Sequence, residues 1–152
     1  MGYCIPERYT MDSFIHREED YALRIIIYLA TVGKMVKTKE ICSSLYLSKP
    51  IVVKIINKLK TCGLVATKTG KEGGLTVSEC VYEKSLFDIL ECMGFSSRMN
   101  QCLHPHDVCL LMPICKVNAL FSDIQKDVEK RLKSAKVKEF LFTDKDQKLV
   151  SI

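Results

Sequence analysis

Three cysteines and two histidines fall within the stretch QCLHPHDVCLLMPIC, residues 101–115. Cys102, Cys109 and Cys115 follow a C-x6-C-x5-C spacing, with His104 and His106 inside the first interval. Thiolates are the soft ligands that iron-sulfur clusters need, and in a loop this spacing lets three sulfurs converge without helical constraint. The C-x2-C knuckle of common zinc sites is missing, but the two imidazoles offer nitrogen ligands and keep structural zinc open. Direct oxidation of the three thiols is a further reading. A thiol oxidoreductase has little to stand on, because there is no C-x-x-C pair and no nucleophile beside an obvious base. The residues therefore point to a binding protein and not to an enzyme.

The remaining cysteines read differently. Cys42, Cys62, Cys80 and Cys92 stand singly among apolar residues, where a free thiol behaves as a small buried hydrophobe, and Cys4 gives no reading. The N-terminal stretch MGYCIPERYTMDSF carries Glu7, Arg8 and Asp12 and lacks the apolar region of a signal peptide. The richest apolar run, Ile25 to Ala30, is far short of the roughly 20 residues that cross a bilayer. A cytoplasmic protein is expected, in which clustered thiols bind metal more often than they pair. A chain of 152 residues can also bury a core without help from disulfides.

The net charge of +5 matters less than its placement. Residues 34–72 hold nine lysines against Glu40 and Glu72, a local +7, while the rest carries 14 basic and 16 acidic residues. Positive charge concentrated in one segment is expected where phosphates dock, although a solvated lysine face has the same composition.

That segment has its own periodicity. Ala22, Ile25, Ile26 and Leu29 recur at helical spacing within Glu18 to Val32, with Leu23 and Ile27 widening the apolar face and Gly33 ending the helix. Thr38 is placed to cap a short helix carrying Ile41 and Leu45. After a turn at Tyr46 and Leu47, Ser48 is placed to cap a second, with Pro50 in its first turn. Here Ile51, Ile55, Ile56 and Leu59 are expected to face inward, leaving Lys49, Lys54, Asn57, Lys58 and Lys60 outside. This is a helix-turn-helix whose second helix has the length and polar face to enter a major groove. Short strands expected at 64–67 and 75–77 flank a turn with Gly70, Gly73 and Gly74, and place Lys68 and Lys71 on a wing.

Ser85 and Asp88 then form a capping-box start for a helix carrying Leu86, Ile89 and Leu90. Regular periodicity fails through residues 94–109. A long helix is expected from about Ile114, where Val117, Leu120, Phe121, Ile124, Val128 and Leu132 make a narrow apolar stripe opposite a charged face. Such a stripe beyond a completed binding module suits pairing with its twin, or folding back on its own chain. KVKEFLF is expected to form a last short helix. The fold class is thus mainly α with a small β-hairpin, a winged helix-turn-helix plus a long C-terminal dimerisation helix. Its expected divisions are an N-terminal extension at 1–16, the DNA-binding domain at 17–84, and a connecting helix with the cysteine loop at 85–115. The dimerisation and terminal helices at 116–142 and a tail at 143–152 complete it.

With DYALRIIIYLA at 20–30, LSKPIVVKIINKLKTCGLV at 47–65, GKEGG at 70–74, SLFDIL at 85–90, the three cysteines and the long helix in this order, the chain resembles the Rrf-type family of winged-helix transcriptional regulators, which includes IscR-like and NsrR-like iron-sulfur regulators. The resemblance covers residues 17 to about 142. It implies a homodimer that binds a near-palindromic duplex DNA operator, acts as a repressor, and senses redox stress, nitric oxide or iron-sulfur status through a cluster on Cys102, Cys109 and Cys115. A 4Fe-4S cluster is favoured over 2Fe-2S. Asn118 occupies the place where IscR-like members have a histidine ligand, whereas Asp20 matches the aspartate that NsrR-like members donate from the partner subunit. Asp20 is therefore the expected fourth ligand, with His104 and His106 in reserve and simple helix-terminus electrostatics as the bland role for Asp20. DNA contacts are expected from Ser48, Lys49, Lys54, Asn57, Lys58, Lys68 and Lys71. The chain departs from the family in one additional residue between Cys102 and Cys109, in Thr69 where many members have a wing arginine, and in Val53 where IscR-like members have a glutamate.

Overall fold

The computed structural model describes residues 13–100, 102, 109–143 and 145–146. Among them the chain forms α1 (Arg17–Val32), α2 (Thr38–Leu45), α3 (Lys49–Thr61), β1 (Val65–Lys68), β2 (Gly74–Val77), α4 (Leu86–Met93) and α5 (Lys116–Ser134). Short 3-10 turns lie at Glu79–Glu83, Met112–Ile114 and Val137–Phe140.

The apolar spacing of α1 places Ala22, Ile25, Ile26 and Leu29 out of contact with solvent, and Tyr28 and Ala30 are buried as well, so this helix is covered on more than one side. Each fully buried Ile or Leu contributes on the order of 2 kcal/mol by leaving water, which makes α1 the axis of the core. Helices α2, α3 and α4 and strand β2 all pack on it. Its start is fixed by the Glu19 carboxylate, which accepts from the His16 N–H at 2.7 Å. Its end is fixed by Gly33 in the left-handed region at φ 62°.

Helix α3 is rotated slightly from the sequence expectation. Val52, Ile55, Ile56 and Leu59 are the buried positions, Ile51 is half-buried, and Val53 is exposed. The observed set follows i, i+3, i+4, i+7, the spacing of a helix seated in a single groove. Ser48 stands at the N-cap without a side-chain cap bond, and α2 begins at Thr38 with Lys37 as its N-cap.

The wing pairs Val65 with Val77 and Lys68 with Gly74, one residue further along than expected for its first strand. Val36 extends it by bonding both ways with Leu75, at 2.9 and 2.8 Å. A β-carbon at Gly74 would stand 2.7 Å from the Val36 carbonyl oxygen, so this close approach requires glycine.

The capping box on α4 forms as expected. Asp88 N–H donates to Ser85 Oγ at 3.1 Å, and the Asp88 carboxylate accepts from Ser85 N–H at 2.7 Å and Ser85 Oγ at 2.8 Å. Beyond α5 the chain returns to the core. Val137 is fully buried, its N–H donates to the Lys84 carbonyl, and the Phe142 N–H donates to Thr31 Oγ1 of α1. No helix among the described residues is long and apolar enough to cross a membrane.

Candidate functional site

Helix α3 is buried along one side and cationic along the other. Ser48, Lys49, Lys54, Asn57 and Lys58 are exposed, as are Lys68 and Lys71 on the wing. Lys37 Nζ donates to the Lys71 carbonyl at 3.0 Å and ties the wing tip to the start of α2. The turn between α2 and α3 is made by Tyr46, a non-glycine residue at φ 54° that is 90% exposed. An aromatic side chain held out beside a helix-turn-helix was not singled out by the sequence, in which Tyr46 reads only as a turn residue.

Two of these lysines have a partner within the chain. Lys54 Nζ stands 2.5 Å from Glu18 Oε1, and Lys58 Nζ 3.6 Å from Glu18 Oε2. The hydrogen bond from Lys54, aided by the charges of both lysines, holds the Glu18 carboxyl below its ordinary value. The first turn of α1 is thus fastened to the polar face of α3.

Asp20 lies on the same turn. Its carboxylate pairs with Arg24 Nη2 at 2.7 Å, both side chains about half exposed. It opens onto a cleft of about 620 Å³ lined by Ser13, Ile15, His16, Arg17, Tyr21 and Arg24.

Cys102, Cys109 and Cys115 are free and half-buried. Cys115 is the N-cap of α5, and its sulfur accepts from the Asn118 N–H at 3.4 Å. The Asn118 side-chain amide nitrogen is buried and has no hydrogen-bond partner among the described residues. Three free thiols, one of them at a helix N-terminus, together with a spare N–H donor, fit the donor set and the surrounding hydrogen bonds of an iron-sulfur cluster. No three His, Cys, Asp or Glu side chains among the described residues converge on a metal position within the single chain, and Asp20 does not join the cysteines. His104 and His106 lie outside the described residues.

The expectation of buried, single thiols fails for Cys62 and Cys92, which are paired, and for Cys80, which is not buried. Cys62, the C-cap of α3, is exposed and bonded to half-buried Cys92 of α4, with Cα atoms 6.2 Å apart. Cys80 is exposed and Cys42 half-buried. The 30-residue separation of Cys62 and Cys92 hides their meeting in the sequence; packing of α3 on α4 creates it.

Helix α5 has no buried residue. Gln125 and Glu129 lean toward the segment after α4, where Ser97 Oγ donates to Glu129 Oε1 at 2.5 Å, and Lys133 Nζ sits 4.5 Å above the Phe87 ring. Val117, Leu120 and Ile124 of the expected stripe stand exposed, continuous in sequence with exposed Leu110, Leu111 and Ile114.

A family model described as Rrf2, iron-dependent transcriptional regulator, matches residues 15–142. The chain belongs to the Rrf2 family. Among its relatives, protein aau3 of Rhizobium meliloti is 30% identical over 68% of this chain and 68% of its own. The HTH-type transcriptional regulator NsrR of Bacillus licheniformis is 29% identical over 63% of this chain and 69% of its own. The solved structure of CymR, the global cysteine regulator of B. subtilis, superimposes with a TM-score of 0.66 at 22% identity, covering 90% of this chain and 95% of that one. The fold is therefore the Rrf2 winged helix, and the family is one of transcriptional regulators.

Proposed function

We propose that this Rrf2 protein is a homodimeric, DNA-binding transcriptional repressor, active in the compartment that holds the DNA. In this reading the unit at 17–84 reads a near-palindromic operator with α3 in the major groove and the wing on the backbone. The observation that carries it is the division of α3: Val52, Ile55, Ile56 and Leu59 are buried among α1, α2 and α4, and the other side presents Lys49, Lys54, Asn57 and Lys58 to solvent. Lysines supply phosphate affinity and Asn57 has the donor and acceptor pair that matches adenine. The exposed stripe Val117, Leu120 and Ile124 is the surface on which a second copy packs.

Sensing is assigned to an iron-sulfur cluster on Cys102, Cys109 and Cys115, with Asp20 of the other subunit as fourth ligand. Support comes from the donor chemistry around Cys115 and Asn118, the cleft at Asp20, and the family's description as iron-dependent. When bound, a 4Fe-4S cluster with one carboxylate ligand supplies an iron open to nitric oxide or oxidants, since a hard oxygen holds soft iron less firmly than a thiolate. The chain's own residues relay the outcome. Asp20 and Glu18 share a turn of α1, and Glu18 grips Lys54 and Lys58 of α3. A pull on Asp20 is thereby felt at the DNA-facing helix, and by linkage DNA binding changes the hold on the cluster.

The test is fluorescence anisotropy with genomic fragments selected on the full chain, cluster-loaded and cluster-free, across a salt series. Affinity changes between the two forms, and Lys58→Ala flattens the logarithmic salt dependence by about one unit. Lys58→Ala binding identical to the parent at every salt concentration refutes α3 as the reader. Asp20→Ala leaves the dimer intact and alters the cluster spectrum; an unaltered spectrum removes Asp20 from the ligand set.

A further inference from the structure

The bond between Cys62 and Cys92 lies at a position that matters to DNA reading, and none of the sensing chemistry above uses it. Cys62 terminates α3, and Cys92 belongs to the last turn of α4, which packs on α1, α3 and α5. The ring closed by the bond runs from 62 to 92 and so contains the entire wing, β1 and β2. Further back along the same helix, Lys54 and Lys58 are held by Glu18. The bond therefore fixes the free end of the DNA-facing helix and both ends of the segment that carries the wing.

The site suits a reversible pair. A shallow cleft of about 260 Å³, lined by Cys62, Leu64, Lys84, Asp88, Glu91 and Cys92, gives small molecules access to the sulfurs. Each sulfur also has a carbonyl to turn to when the bond is open. Cys62 Sγ is 3.8 Å from the Cys92 carbonyl oxygen and Cys92 Sγ 3.6 Å from that of Lys58, within reach of S–H donation. Neither thiol needs to move far, and their Cα separation lies in the range that a disulfide spans. DNA-bound regulators work where glutathione and thioredoxin keep accessible thiols reduced, so a pair reached through exposed Cys62 cycles there instead of persisting.

We propose that Cys62 and Cys92 form a thiol-disulfide switch, a modification site for hydroperoxides separate from the 102–115 cysteines, which in its oxidised state locks α3 and the wing to α4. The Cys62 thiolate attacks the outer oxygen of the hydroperoxide; an S–O bond forms, the O–O bond breaks, and an alcohol leaves after protonation. The Cys92 thiolate then attacks the sulfenic sulfur, forming the S–S bond and releasing water. Two thiols and one hydroperoxide thus give one disulfide, one alcohol and one water. Reduction by a dithiol reverses it.

The effect on DNA rests on the proposed reading of α3, whereas the chemistry does not. The test treats the full chain with tert-butyl hydroperoxide, blocks free thiols, maps linked peptides by mass, and measures binding to a mixed-sequence duplex before and after dithiothreitol. The expected result is a 62–92 linked peptide that dithiothreitol removes from the folded protein, and an affinity difference of about fivefold or more between the forms. That difference disappears in Cys62→Ser, a change at an exposed site, and persists when Cys102, Cys109 and Cys115 are all serine. Failure of the link to form, a link that survives the dithiol, or equal affinity of the two forms overturns the switch. Duplex binding by neither form instead refutes the reading of α3, and the peptide map still decides whether the pair is redox-active.

Discussion

Glu18, in the first turn of α1, accepts a hydrogen bond from Lys54, in the middle of α3, at 2.5 Å. The two are 36 residues apart in sequence, and both are surface side chains. Phosphates approaching α3 must compete with this carboxylate. Glu18→Gln is expected to strengthen duplex binding several-fold at low salt, with a smaller gain as salt screens the charge. Titration of both proteins across salt concentrations checks this; weaker binding by the variant would mean that Glu18 positions Lys54 for DNA instead of restraining it.

The cap of α4 has a measurable weight. Replacing Ser85 with Ala removes the acceptor of the Asp88 N–H and one donor to its carboxylate. A loss of about 1 kcal/mol is expected, seen as a lowered urea midpoint with an unchanged slope. Burial raises the Asp88 carboxyl, but the Ser85 hydrogen bonds and the charges of Lys84 and Lys136 outweigh it and hold the group below its ordinary 3.8. A depressed carboxyl contributes stability that is full above its unfolded value and disappears as pH falls through the folded one. The parent should therefore lose stability below pH 3.8 more steeply than Asp88→Asn. Parallel acid unfolding curves would remove this group from the account.

Gly74 faces a backbone oxygen and not a pliable side chain. Gly74→Ala is expected to cost about 1 to 3 kcal/mol through the forced separation of β2 from Val36. Amide exchange at Val36 and Leu75 should accelerate most, since those two N–H groups make the bridge. Unchanged protection there would show that the wing tolerates a β-carbon.

The apolar face of α5 gives a prediction about assembly. Leu120 is 57% exposed in the single chain, so Leu120→Asp has no core to damage. Sedimentation should show a monomer that retains the parent's helical circular dichroism. A variant that remains dimeric would move the interface away from α5.

Much of this fold is legible in the sequence because local rules and packing agree. Ala22, Ile25, Ile26 and Leu29 are read from spacing alone and are all fully buried, and Ser85 with Asp88 announces a cap that forms. The departures arise where a neighbour decides. Val52 is buried in place of Ile51 because α3 packs on α1, α2 and α4 together, and that joint packing sets its rotation. The pairs Glu18–Lys54 and Cys62–Cys92 are invisible to any local pattern, since only the docking of three helices joins residues so far apart. For the site, the cationic face of α3 was readable from the lysine spacing. The exposure of Tyr46 was not, because it follows from the left-handed backbone that ends α2.

The central claim, regulation through a cysteine-held cluster, is tested most directly by iron and acid-labile sulfide analysis with an absorption spectrum, on full-length protein purified without oxygen. The account predicts a brown protein with about four iron and four sulfide per chain, lost when Cys109 is replaced by serine. A colourless protein containing zinc, or one with no metal that still binds its DNA, would contradict cluster sensing.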